Sequence, residues 1–490
     1  MTPKLLSKKN PFAPREYGRL EKITDRVFLF RNITNSSFVV GDRSVAVIDT
    51  QVNRPSAQRV LAAVRSVTGK PIRHVVNTHY HWDHTNGNQL FKDLGATVVA
   101  SDLTRKFMTD RKERQKAFLA GRGFELGHDP LLPEVTFTGE HAIDLGNVTL
   151  RLFFAGRAET DDATAVFVPE ERVIMSGDTV MTGSFPIFGQ PVWDEGLEGS
   201  QWIQTLEALM HLKPKHILPG HGPLAHEPEI EKLVAIERFF LEEVGALVKK
   251  GHDLNRVLAD IEPRLPRWIT EMPIVWGTPR YAILRVFRGL TKKAADKEPG
   301  WQSFKPSAIP QADEKKISKA LRDKKSLDDF LEMARESKEG GDAALKVAVL
   351  KKAAEIFPAS CDAWAAYADA LIEASKEEAS VLEKGDFFEI ARRSWNKALE
   401  IDPNHAPTLL GKGRYLTMMA YRGGDDPHEG MALLEQALVK ASNARQRAEA
   451  EFYLGMGRRR LGDEVGAHLQ FKKSIQEDPA FMPAHLAMQA

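Results

Sequence analysis

The sequence predicts an α/β domain followed by an all-α helical-repeat domain, on three observations. A short apolar run, Ile72 to Val76, ends in a polar loop, and beyond Asn86-Gly87-Asn88 a helix is expected to start near Gln89. That order of buried strand, loop and helix is a unit of layered α/β folds. From Glu227 onward the apolar residues recur at helical spacing, and beyond residue 326 one type of helix ending recurs, as in stacked helical repeats.

The loop after Val76 carries the densest chemistry in the chain. Thr78-His79-Tyr80-His81-Trp82-Asp83-His84 places three imidazoles and one carboxylate within six residues. Two His at alternate positions of an extended segment point the same way, and the adjacent Asp83-His84 pair faces a second point nearby. This constellation suits two metal ions a few ångströms apart that share an activated water. A His-rich loop that binds nothing is the bland alternative, and burying so many ionisable groups without a metal is costly.

The pattern His-x-His-x-Asp-His resembles the signature of the metallo-β-lactamase superfamily, and four further segments agree in the family's order. Val45-Ala46-Val47-Ile48-Asp49-Thr50 is similar to the early strand whose terminal Asp supports the metal loop. Phe153 to Thr160 resembles the loop that normally supplies another His ligand, and Val173 to Asp178 the strand ending in a metal-bridging Asp. His216-Ile217-Leu218-Pro219-Gly220-His221-Gly222 resembles the segment that carries the last His. The resemblance covers roughly residues 17–225 and implies a metallo-β-lactamase αββα sandwich as a catalytic domain over residues 1–225.

One residue departs from the pattern. Where most relatives have Ala-His-Thr, this chain has Ala158-Glu159-Thr160. A carboxylate is an acceptable zinc ligand, and the linear alkylsulfatase branch has a Glu in this loop with a second acidic residue at the bridging position. Here that partner is Asp178, 19 residues downstream. The resemblance then implies a first metal held by His79, His81 and Glu159, and a second held by Asp83, His84 and His221. Asp178 and a hydroxide would bridge them, with Asp83 and Asp178 as the catalytic residues. Two zinc ions per chain are expected, with manganese or iron competing because the added carboxylate makes the site harder. The alternative is a member that has lost a ligand and works with one metal or none.

Composition fits a large soluble protein. A chain of 490 residues has room for roughly two to four domains. Apolar residues at 42% supply full cores, and a net charge of +1 gives no reason to expect nucleic acid or an anionic membrane as partner. The single cysteine, Cys361, excludes an intramolecular disulfide and a Cys-based zinc site. Met1 to Gly18 is basic but lacks the apolar run of a secretory signal, and no stretch is apolar enough to span a bilayer. A cytoplasmic location is the expectation.

Beyond His221, Ile230, Leu233, Val234, Phe239, Phe240, Val244, Leu247 and Val248 predict one helix from Glu227 to Gly251. Asp253 is placed to cap another, which Pro263 and Pro266 end. The segment Trp276 to Leu290 resembles the alkylsulfatase junction leading into a dimerisation domain, so residues 226–290 are read as a helical extension. Arg280, Arg285 and Arg288 in it either reach an anionic substrate or pair with local acids. Phe185-Pro186-Ile187-Phe188 and Trp193 lie in a loop that rims the cleft of this fold. The loop is expected to form an apolar wall for a substrate tail or to pack against helices. Trp82 is expected near the mouth, and Arg280 is the candidate for a cationic substrate contact. His74, His128, His141, His211 and His216 are read as structural or exposed.

Residues 291–325 read as a linker, rich in Lys, Asp and Pro. In the final domain, 326–490, Ala353 to Pro358, Ala398 to Pro403 and Ser474 to Pro479 are copies of one helix end, with prolines 45 and 76 residues apart. Ala437 to Lys440 marks an intervening copy, and Ala450 to Gly455 with Arg460 to Asp463 resembles a tetratricopeptide first helix and turn. These repeats are expected to serve a homodimer or a peptide partner. The functional expectation is a binuclear hydrolase of a small-molecule ester, an alkyl sulfate ester by resemblance. A carboxylic ester, lactone or thioester hydrolase, and a non-catalytic scaffold with a degenerate metal site, remain the alternatives.

Overall fold

The computed structural model describes residues 18–113, 115–116, 129–189, 199–275, 277–292, 326–339, 343–375, 381–423 and 427–489. The expected linker, Trp193, Trp276, His128 and the basic segment before Gly18 fall outside these residues, apart from the linker's first two positions.

Two sheets lie at the centre of the first compact unit. The first has seven strands in sequence order: β1 (Arg19–Lys22), β2 (Val27–Arg31), β3 (Ser36–Val40), β4 (Val45–Ile48), β5 (Ile72–Val76), β6 (Thr97–Ser101) and β7 (Val135–Phe137). Pairing is antiparallel from β1 to β4 and parallel from β4 to β7. The second sheet runs β12 (His216–His221), β11 (Val173–Met181), β10 (Thr164–Val168), β9 (Thr149–Phe154) and β8 (Glu140–Asp144), with only β11 and β12 parallel.

Period-two side-chain alternation sorts the first sheet's residues onto two faces. Leu29, Val39, Ala46, Ile48 and Val76 meet Leu150, Leu152, Val166, Met175 and Leu218 of the second sheet. Phe28, Phe38, Val45, Val47 and Val75 face the other way, onto Ala57, Val60 and Val64 of α1 (Arg54–Val67) and Phe91 of α3 (Asn88–Asp93). A strand such as β4 is buried along its whole length for this reason. With α2 (Trp82–Thr85), α4 (Asp102–Asp110) and α5 (Gln201–His211) completing the layers, the unit is the expected αββα sandwich. Trp202 of α5 is anchored to the second sheet by donation to the Thr179 carbonyl at 3.0 Å.

The predicted helix after His221 is α6 (Glu227–Lys249), followed by α7 (Leu254–Ile261) with Asp253 as its cap at 2.9 Å. A short turn, Glu262–Arg264, holds Pro263, α8 (Arg267–Thr270) follows Pro266, and α9 (Pro279–Thr291) is capped by Thr278. These helices, read from sequence as a separate extension, belong to the same compact unit as the sheets.

Among the described residues the second unit is all-helical: α10 (Leu327–Glu339), α11 (Ala343–Ile356), α12 (Cys361–Ala374), α13 (Val381–Ile401), α14 (Ala406–Gly423), α15 (His428–Lys440), α16 (Ala444–Arg460), α17 (Glu464–Glu477) and α18 (Met482–Gln489). The three recurring prolines each follow a helix end, as the repeat predicted. Phe330, Leu350, Leu371, Phe387 and Trp395 form one core, Leu410, Leu434 and Leu454 the next, so each helix pair buries its apolar face on its neighbours.

Candidate metal centre

All the residues proposed as ligands come from loops and strand ends on one edge of the sandwich. Val76 ends β5, and His79, His81, Asp83 and His84 follow within eight residues. Glu159 lies between β9 and β10, Asp178 on β11, and His221 at the end of β12. His79, His81, Glu159 and Asp178 form one buried group, and Asp83, His84 and His221 a second.

Most separations among these atoms are those of ligands around one ion, and the two from His79 are longer. Atoms about 2.0–2.2 Å from one tetrahedral ion stand about 3.3–3.6 Å from each other. His81 Nδ1 is 3.5 Å from Glu159 Oε2, and His79 Nε2 is 4.0 Å from the same oxygen. His221 Nε2 and His84 Nε2 stand 3.3 Å and 3.5 Å from Asp83 Oδ2. Asp178 lies between the groups, with Oδ1 at 3.3 Å from His84 Nε2 and Oδ2 at 3.3 Å from His221 and 3.9 Å from His79.

The donor atoms are ready for a cation. Nε2 of His79, Nε2 of His84 and Oδ1 of Asp178 are buried and make no hydrogen bond. Their opposite sides are held. His84 Nδ1 lies 2.8 Å from Asp49 Oδ2, and His79 Nδ1 lies 3.0 Å from Thr78 Oγ1, which donates to the same Asp49 oxygen at 2.7 Å. Those bonds place a proton on Nδ1 and leave the Nε2 lone pairs directed into the site. Asp49 holds this position with φ at +60°, a left-handed conformation that costs a non-glycine residue. Gly220 is needed because a Cβ there would fall 1.9 Å from Asp178 Oδ1.

The electrostatics point the same way. Burial opposes charge on His221, yet Asp178 and Asp83 raise its pKa to about 10. His84 is likewise held well above the ordinary imidazole value, its burial outweighed by Asp178, Asp83 and Asp49. Burial would raise Asp178, but His221 and His84 keep it well below the usual carboxylate range; Asp83 is lowered as well, by His84 and His221. Burial and the neighbouring His84 push His79 well down. Positive charge is therefore favoured between these carboxylates, and a divalent cation fits where protons otherwise supply it.

The expected substrate contacts fare differently. Phe185 and Phe188 are 0% and 1% exposed, packed on Phe240 of α6, with Phe188 also against Trp202. They are core residues and not an open apolar wall, the second of the two readings the loop left open, because α5 and α6 cover that face. Arg280 is engaged by both oxygens of Glu262 at 2.7 and 3.0 Å, the pairing with a local acid that was the alternative to a substrate contact. Trp82 is half-buried, with its backbone N–H on Gln115 at 3.2 Å.

Four supporting contacts were not read from the sequence. Thr34 Oγ1 donates to Asp83 Oδ2 at 2.8 Å, and the Ile33 carbonyl accepts from His221 Nδ1 at 2.6 Å. Arg285, 1% exposed, reaches the Glu159 carbonyl at 2.8 Å and lies 3.7 Å from Asp161. Arg111 donates to Tyr80 at 3.1 Å and lies 3.7 Å from Asp161 on its other side. Each spans a sequence separation that no local pattern announces.

Residues 29–221 match the family described as the Metallo-beta-lactamase superfamily. This part of the chain is a metallo-β-lactamase domain. The chain is 27% identical over 208 residues to the alpha subunit of 2,4-dinitroanisole O-demethylase from Nocardioides sp., covering 42% of this chain and 55% of that protein. It is 21% identical over 281 residues to a linear primary-alkylsulfatase from Pseudomonas sp., covering 50% of this chain and 53% of that one. The chain thus spans about half the length of these two relatives. Two solved structures are similar to this chain in fold. One is a double mutant of the sec-alkyl sulfatase PisA1, with TM-score 0.55 at 17% identity, covering 76% of this chain and 65% of that one. The other is the stereoselective inverting sec-alkylsulfatase Pisa1 from Pseudomonas sp., with TM-score 0.54 at 15% identity, covering 81% of this chain and 71% of that one.

Proposed function

We propose that the chain is a binuclear metallohydrolase that cleaves alkyl sulfate esters. The observation that carries this reading is the place of Asp178, whose oxygens stand 3.3–3.9 Å from imidazole nitrogens of both ligand groups. His79, His81 and Glu159 would hold one ion, and Asp83, His84 and His221 the other, with Asp178 shared. Two divalent ions held there, zinc by donor type, would ionise water near neutral pH and offset charge on the group under attack.

The chain's own residues do the rest by position. Asp49 and Thr78 keep the imidazole protons on Nδ1, so that His79 and His84 present lone pairs without rearrangement. His79, His81, Glu159 and Asp178 are each under 5% exposed, which keeps bulk water from competing for their donor atoms. Asp83 is the most open ligand candidate, its side chain 17% exposed, so substrate enters on that side.

The sulfate class rests on the likeness to the linear primary-alkylsulfatase and on the carboxylate at Glu159. A hydrolysis panel of a primary alkyl sulfate, an alkyl phosphate, a carboxylic ester, a thioester and a lactone, with metal-loaded full chain, tests it. Sulfate release from the alkyl sulfate with little turnover of the others is expected. Turnover confined to the carboxylic ester, thioester or lactone replaces the substrate class, and no turnover with both ions bound favours a scaffold. We also propose that the helix pairs form a dimerisation platform; a monomer on sedimentation at micromolar concentration turns that assignment to a peptide partner.

A further inference from the structure

We propose that Thr34 is a positioning residue that sets the affinity of the Asp83–His84–His221 end of the centre, independently of the His79–His81–Glu159 end. The inference rests on the binuclear reading above. It starts from the loop joining β2 to β3, whose sequence, Asn32-Ile33-Thr34-Asn35, looks like an ordinary polar turn but is buried at each of its three polar residues.

Three consecutive residues of this loop act on the same end of the centre. The Ile33 carbonyl receives His221 Nδ1 at 2.6 Å, which fixes the ring's rotation and its tautomer. The Thr34 hydroxyl donates to Asp83 Oδ2 at 2.8 Å, the oxygen that also faces His84 Nε2 at 3.5 Å and His221 Nε2 at 3.3 Å. The bond occupies one lone pair of that oxygen and leaves another directed at the two imidazoles. Asn35 clamps the turn under His221, donating through its side chain to the carbonyls of Pro219 at 2.9 Å and Gly222 at 2.8 Å. Its backbone N–H reaches the Gly220 carbonyl at 2.7 Å.

The loop is itself held from behind. Gln51, fully buried with φ at +76°, donates to the Thr34 carbonyl at 2.6 Å and to Ser36 Oγ at 2.8 Å, and accepts from Asn32 at 2.9 Å. A left-handed glutamine is strained, and the three-way network around it outweighs that cost. Among the described residues no bond from this loop reaches His79, His81 or Glu159. Asp49 serves both ends of the centre, whereas this loop supports only the Asp83–His84–His221 end, and Asp83 depends on Thr34 for its orientation.

Stepwise titration of the metal-free full chain with Zn2+ against a chromophoric chelator tests this. Thr34→Val keeps the side-chain shape and removes the hydroxyl. The expected result is a second-ion affinity weaker by roughly 10- to 100-fold with the first unchanged, and a changed visible spectrum only for the second Co2+ equivalent. Thr34→Ser restores both. Equal weakening of both steps, or no weakening, overturns the assignment while leaving the binuclear reading in place. A wild-type chain that takes up no second ion overturns both. Should Thr34→Val not fold, Thr34→Ala reads the same quantity, and failure of both to fold makes the role purely structural and ends the proposal.

Discussion

Arg285 Nη1 donates to the backbone carbonyl of Glu159 at 2.8 Å, so a helix beyond the matched residues 29–221 holds the loop that carries the carboxylate at the centre. The same nitrogen donates to the Phe188 carbonyl at 3.0 Å. Arg285→Met leaves both buried carbonyls without their donor, while Asp161 keeps Arg111 at 3.7 Å, and a loss of about 1–3 kcal/mol per stranded carbonyl is expected. Thermal unfolding of the metal-free protein measures it; a change under 1 kcal/mol contradicts the clamp.

Gly189 tests the same contact from the other side. It has φ of +72°, and a Cβ there would fall 1.7 Å from Arg285 Nη1. Gly189→Ala is expected to destabilise by roughly 1–3 kcal/mol and to reduce metal retention on dialysis. A variant as stable as wild type would show that the guanidinium moves aside freely.

Much of the candidate centre was legible because its ligand candidates sit in short motifs: the His79 to His84 run, Asp178 after a buried strand, and His221 after Pro219-Gly220. Asp49 was legible as a support because it ends a strand with four buried residues. Thr34, Gln51 and Arg285 were not, since each acts across a long sequence separation and lies in a segment that reads as a turn or a cationic helix face. Phe185 and Phe188 were ambiguous for a related reason: an apolar loop looks alike whether it lines a cleft or seals a layer. Only the packing of Phe240 and Trp202 against them decides.

Glu159 is expected to be a ligand and not a relic. Glu159→Gln should lower metal content and turnover together, whereas Glu159→His should retain metal with an altered substrate preference. Metal analysis of the dialysed variants checks this, and full occupancy in both Glu159→Gln and Glu159→Ala would move the assignment to another carboxylate of the same loop.

Asp49 serves both ends of the centre, at 2.8 Å from His84 Nδ1 and 2.7 Å from the Thr78 hydroxyl that holds His79. Asp49→Ala should therefore weaken both metal steps, by roughly 10- to 100-fold each. That pattern contrasts with the one-step loss expected of Thr34→Val. Loss of a single step in Asp49→Ala would break the proposed division of supports.

Glu237 on α6 gives the protein a pH dependence away from the centre. Burial holds its carboxyl well above the ordinary value, only partly opposed by Arg285. The folded state thus keeps a proton that the unfolded state releases, so this contribution is full below the unfolded pKa and is lost as pH rises through the folded one. Glu237→Gln should gain stability relative to wild type as pH is raised from mildly acidic to alkaline. Parallel denaturation curves across that range would show the carboxyl to be ordinary.

The central claim is that two ions share Asp178. Metal content of the reconstituted full chain, measured by atomic emission beside Asp178→Asn, tests it most directly. The account predicts about two divalent ions per chain for wild type, about one or fewer for Asp178→Asn, and turnover lower by orders of magnitude in the variant. A wild-type chain that holds no more than a trace of metal, or an Asp178→Asn variant with two ions and near-normal turnover, contradicts it.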